Sequence, residues 1–126
     1  MSPHTQARSA YASASSSIRT GRDSEYAVFA RVTSALRALD EQDRAAYPQL
    51  ARAVTDNQRL WGVLADDLMH DDNQLPVPLR ATLVSLAEFV RRHSLAVLGG
   101  RAAVAPLIDI NTAIMKGLRG DAEVAA

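Results

Sequence analysis

Asn57-Gln58-Arg59-Leu60-Trp61-Gly62-Val63-Leu64-Ala65-Asp66-Asp67-Leu68-Met69-His70-Asp71-Asp72-Asn73-Gln74-Leu75-Pro76-Val77-Pro78 is the stretch on which the reading of the fold turns. It holds the single Trp, most of one helix, an acidic turn and the start of the next helix. Leu60, Trp61, Leu64 and Leu68 recur at i, i+1, i+4 and i+8, which is one face of an α-helix. Asn57 stands three and four residues before Leu60 and Trp61, so its amide lies on that same apolar face. An amide left buried and unpaired costs roughly 1–3 kcal/mol. It therefore demands a partner, inside the chain or on another one.

Upstream, Pro48 suits the first turn of this helix, where its missing N–H is not needed. Before it, Asp40-Glu41-Gln42-Asp43-Arg44 reads as a solvated turn. A helix over about 24–40 precedes that turn. Asp23 or Ser24 caps it, and Tyr26, Phe29, Thr33, Leu36 and Leu39 form its stripe. Residues 1–21 read as a flexible arm, with one weak helix around Thr5 to Ala14, Tyr11 as its only large apolar anchor, and a Ser/Ala run behind it. Downstream, His70 to Asn73 ends the central helix, and Pro76 and Pro78 bracket the start of another. In that helix Leu79, Leu83, Leu86, Val90 and Val97 continue the core face until Gly99-Gly100 stops it. Pro106 opens the last helix, with Leu107, Ile108, Asn111, Ile114, Met115 and Leu118 on one side. Gly120 marks its expected end, leaving 121–126 as a frayed tail.

The chain is thus predicted to be all-α: a single-domain bundle of four main helices over residues 22–120, plus a short amino-terminal helix or arm. Its 126 residues suffice to bury about two thirds of the unfolded surface. Hydrophobic residues make up 48% and aromatics only 5%, so the core must be aliphatic, which favours helix on helix. Fourteen basic residues balance fourteen acidic ones, and so even a balance argues against direct nucleic-acid binding. Cysteine is absent, which removes disulfides and thiolate sites. The first residues lack the apolar core of a secretory signal, and no uncharged apolar run nears the ~18 residues of a membrane span. The expected location is the cytoplasm.

No catalytic constellation emerges. His4, His70 and His93 are scattered, and His70-Asp71-Asp72 lacks the Gly and terminal Glu of a calcium loop. Asp66 and Asp67 are helix neighbours pointing about 100° apart, a poor acid–base pair. There is no G-x-S-x-G elbow and no phosphate-cradling loop. The expectation is a non-enzyme without metal or cofactor. Asn57 and Asn111 remain unusual, each at the centre of an apolar helix face. Either the amides bond neighbouring helices and hold register, or they edge a groove and meet a partner's backbone. Trp61 has the same two readings, as core or as binding anchor.

A family resemblance is carried by Asn57-Gln58-Arg59-Leu60-Trp61, Leu64, Asp67, Asn73-Gln74-Leu75-Pro76, Leu79-Arg80-Ala81, Leu83, Ser85-Leu86-Ala87 and Phe89-Val90. It continues in Leu107-Ile108-Asp109-Ile110-Asn111, Ile114-Met115 and Gly117-Leu118. The order and spacing resemble FlaF, the flagellar biosynthesis regulators of alphaproteobacteria. Ala10-Tyr11, Arg22, Glu25 and Leu36 fit as well. Thr112 departs from the Arg expected there, so a role of that Arg does not carry over. The resemblance implies a secretion chaperone that binds flagellin and acts alongside FlbT, which controls translation of flagellin mRNA. The expected partner is an amphipathic terminal helix of flagellin laid into a groove. Trp61 and Leu64 would line it, Asn57 and Asn111 would fix polar groups, and Asp109 and Lys116 would be rim charges. The alternative is a regulator acting on flagellin mRNA directly or through FlbT. Direct contact would need Arg22, Arg31, Arg37 and Arg44, or Arg91 and Arg92, to gather on one surface.

Overall fold

Aliphatic stripes at helical spacing can be buried only against one another, and among the described residues four of them do so. The computed structural model describes the backbone of residues 25–125 and the side chains of residues 25–117. Within that span, α1 occupies residues 25–37, a 3₁₀ turn spans Arg44–Ala46, α2 spans Tyr47–Leu68, α3 spans Val77–Leu98, and α4 spans Ala105–Ala125. The 1–21 arm, the helix around Thr5 to Ala14 and the Asp23 or Ser24 cap lie outside the described residues.

Cross-chain bonds fix the direction of each helix. Thr33, Arg37 and Glu41 meet Asn111, Thr112 and Val104 respectively, so α1 and α4 run antiparallel. Phe29 packs edge-on against Trp61 with ring centroids 5.9 Å apart, which sets α1 against α2. The Tyr47 hydroxyl donates to the Leu98 carbonyl at 2.9 Å, tying the start of α2 to the end of α3. The result is an up-down-up-down four-helix bundle. Its core comprises Phe29, Leu36, Ala53, Val54, Trp61, Val90, Val97, Val104 and Leu107.

Local chemistry explains the ends. Asp43 caps the 3₁₀ turn through the Ala45 N–H. Asn73 donates to Asp67 and accepts from the Leu75 N–H, forming an Asx-turn just ahead of Pro76. After α3, Gly100 takes φ +72°, the Arg101 N–H bonds the Ala96 carbonyl, and the Gly100 N–H bonds that of Val97. These two bonds make a Schellman stop, which is why Gly-Gly ends the helix there.

The structure departs from the sequence expectation at three points. α4 continues through Gly120 to Ala125, because a glycine lowers helix propensity by about 1 kcal/mol without breaking the backbone ladder. Leu79, Leu83 and Leu86 are not buried with Val90 and Val97, although they share their stripe. Glu41 is more than a turn residue. Its carboxylate accepts the Val104 N–H at 2.7 Å, where the amino-terminal end of α4 favours negative charge. No helix among the described residues is long and apolar enough to cross a membrane.

Candidate functional site

Both amides on apolar faces turn inward. Asn111 and Asn57 are each 0% exposed, as is Thr33, and Trp61 is 2% exposed. Asn111 is the hub of a network joining three helices. Its Oδ1 accepts from Trp61 Nε1 at 2.9 Å, and its Nδ2 donates to Asn57 Oδ1 at 2.8 Å and to Thr33 Oγ1 at 3.1 Å. Three of the hub's bonds are thus satisfied in a site closed to solvent, where an unpaired group is expensive. Asn57 Nδ2 finds no partner among the described residues. The amides therefore hold α1, α2 and α4 in register and do not edge a groove.

The other residues singled out from the sequence are dispersed. Leu64 packs against the core, half-buried. Asp109 and Lys116 are exposed, seven residues apart on the outward side of α4. Trp61 also contributes to the lining of a groove between α2 and α3.

That groove has a volume of about 310 Å³. Gly62, Ala65 and Met69 form its α2 wall, and Val84, Ala87 and Val90 its α3 wall. Gln58, Glu88 and Arg91 supply polar groups at its margin. Small side chains on both walls let a third helix come close, as ridges do when they enter grooves. At the margin Glu88 Oε1 meets Arg91 Nη2 at 2.7 Å and lies 3.7 Å from Arg92 Nε. The Arg91 hydrogen bond, helped by the charges of Arg91 and Arg92, holds the Glu88 carboxyl below the ordinary carboxylate range. The same bond raises Arg91. A shallower depression of about 530 Å³ lies between α1 and α2, lined by Val28, Val32, Leu60 and Val63 with charged residues around it.

Sequence reasoning passed over Gly62, Ala65, Ala87, Glu88 and Arg91. One signal was available. A glycine inside a helix costs about 1 kcal/mol relative to Ala and often marks a close approach. At Gly62 an added Cβ would meet nothing within 4 Å, so the space it faces is open.

Among the described residues no group of three or more His, Cys, Asp or Glu side chains could hold a metal ion. Of the arginines named for a nucleic-acid surface, Arg37 donates to Thr112 at 2.9 Å, and Arg91 and Arg92 face Glu88. Arg22 lies outside the described residues.

Compared with known protein families, residues 7–118 match the family described as flagellar protein FlaF. Neither the curated proteins nor the solved structures contain a match.

Proposed function

This chain belongs to the FlaF family of flagellar proteins, and from that premise we propose that it binds unassembled flagellin in the cytoplasm. In this reading an amphipathic terminal helix of flagellin lies in the groove between α2 and α3 and is kept from self-association until export. FlbT acts beside it on flagellin mRNA, and no bond is made or broken. The observation that supports the reading is the groove itself: largely apolar, lined by Trp61 and by small side chains, and left open on an otherwise well-packed helix pair.

The energetics are adequate. Burying two or three Leu-sized side chains contributes roughly 1.5–3 kcal/mol each before association costs are subtracted. The buried Thr33–Asn57–Asn111 network supports the site indirectly, by holding the Trp61 ring from behind.

Gly62 provides the test, because its Cβ position is free of neighbours and a side chain there fills the groove without disturbing the core. Gly62→Ala should bind monomeric flagellin as the native chain does. Gly62→Glu should lose at least about tenfold in affinity, or 1.4 kcal/mol, with an unchanged circular dichroism spectrum. Equal binding by both variants would remove the groove from the flagellin interaction.

A further inference from the structure

The depression between α1 and α2, about 530 Å³ in volume, lies apart from the groove proposed for flagellin and shares no residue with it. Its centre is apolar. Val32 is buried, Val28 and Leu60 are half-buried, and Val63 stands 70% exposed. Around that centre each helix sets one acid and one base, all four exposed: Glu25 and Arg31 on α1, Asp56 and Arg59 on α2. Glu25 is already engaged. Arg31, Asp56 and Arg59 make no hydrogen bond or ion pair among the described residues, although Asp56 and Arg59 stand at a spacing where helix pairs form.

Charge decides what such a surface fits. A partner carrying mainly one sign would be repelled by half of this rim. Equal numbers of both signs suit the patch's own image instead. In a two-fold interface the same patch faces itself, so wherever residue i meets residue j, j also meets i. The whole chain has fourteen basic and fourteen acidic residues, so no net charge holds two copies apart. The antiparallel course of α1 and α2 then limits which residues can meet. Phe29 touches Trp61, so Arg31, two residues further along α1, is level with Arg59 and within roughly one turn of Asp56. A two-fold axis along the depression lays α1 of one copy over α2 of the other at that same level. Arg31 then faces Asp56 of the second copy, and Val28 faces its Leu60 and Val63.

We infer that two copies of this chain associate face to face through the α1–α2 depression. The Arg31–Asp56 pair forms twice, once on each side of the axis, and Val28, Leu60 and Val63 of both copies are closed off from water between them. The patch is small, so the dimer is weak and reversible, with a Kd of about 10–100 µM. Its residues are distinct from those lining the α2–α3 groove, and the inference holds whether or not that groove takes flagellin.

Charge reversal in the full chain tests this by sedimentation velocity, at concentrations about tenfold above that Kd. The native chain should sediment as a species of twice 13.6 kDa. Arg31→Asp and Asp56→Arg should each weaken self-association at least about tenfold, because each sets like charges opposite one another on both sides of the axis. Both positions are exposed, so the circular dichroism spectrum of either variant should match that of the native chain. Mixed in equal amounts, the two variants should recover the native dimer, since one reversed and one native pair are then both attractive. A native chain that stays monomeric overturns the inference and leaves the depression to another occupant. Dimers that survive both reversals overturn it too, by placing the interface elsewhere. So does a loss in each variant that mixing fails to recover, because the two residues then do not meet across the axis.

Discussion

From Val90 to Val97, α3 has three fully buried positions; from Val77 to Phe89 the same helix has none. The carboxy-terminal half is pressed between the first turns of α2 and the start of α4, where Val54, Val104 and Leu107 are 0–2% exposed. It is pinned by Tyr47 on the Leu98 carbonyl and by His93, whose Nε2 donates to the Ala103 carbonyl at 2.7 Å. The amino-terminal half keeps α2 on one side, with the groove beside it and the leucine stripe behind it. One helix therefore serves two purposes. Stability is concentrated where neighbours surround it, and apolar surface is kept available where they do not.

Breaking the closed part should have the largest effect. Asn111→Ala deprives Trp61, Asn57 and Thr33 of a partner at once and opens a void, so urea unfolding should report a loss of about 4 kcal/mol. Asn57→Ala should cost about half as much, since its Nδ2 already lacks a partner among the described residues. If Asn111→Ala is neutral, the network contributes nothing to holding the helices together. Next, Leu107→Ala, at a site 0% exposed, should cost about 3 kcal/mol, against about 1 kcal/mol for Leu79→Ala. Equal costs for the two leucines would erase the difference between the halves of the bundle.

Smaller effects sharpen the contrast at the open end. Gly62→Ala should stabilise by about 0.5–1 kcal/mol, because the helix gains propensity and the methyl meets no neighbour. Destabilisation would mean the groove is already filled by the chain. Smallest is the Glu88–Arg91 pair. Its folded carboxyl value is depressed, so its contribution is fully present above the ordinary value of 4.5 and fades as pH falls through the lowered one. Both groups are exposed, so added salt should abolish the difference in melting temperature between the native chain and Glu88→Gln. A difference that persists in high salt would show that the groove margin is less open to solvent than it looks.

Much of the architecture could be read from the chain because its signals are local. The three- and four-residue spacing, Pro48, Pro76, Pro78 and Pro106 at helix starts, and Gly99-Gly100 at a stop each act within a few residues. Periodicity also placed Asn57 and Asn111 on apolar faces, and it could not say that they face each other, because that depends on three helices converging. The same limit explains Leu79, Leu83 and Leu86. A stripe tells which side of a helix wants cover, and only the arrangement of neighbours decides whether cover arrives. The groove was harder still to foresee, since small residues such as Gly62 and Ala87 contribute to it by the space they leave.

The first and last helices are joined by bonds that span most of the chain. Glu41 reaches Val104 across 63 positions, Arg37 reaches Thr112 across 75, and Asn111 reaches Thr33 across 78. During synthesis none of these clasps can close until the final helix has left the ribosome, and until then the Trp61 N–H has only water to receive it. The nascent protein must therefore wait, its first helices not yet locked together, for the arrival of a single asparagine near its end.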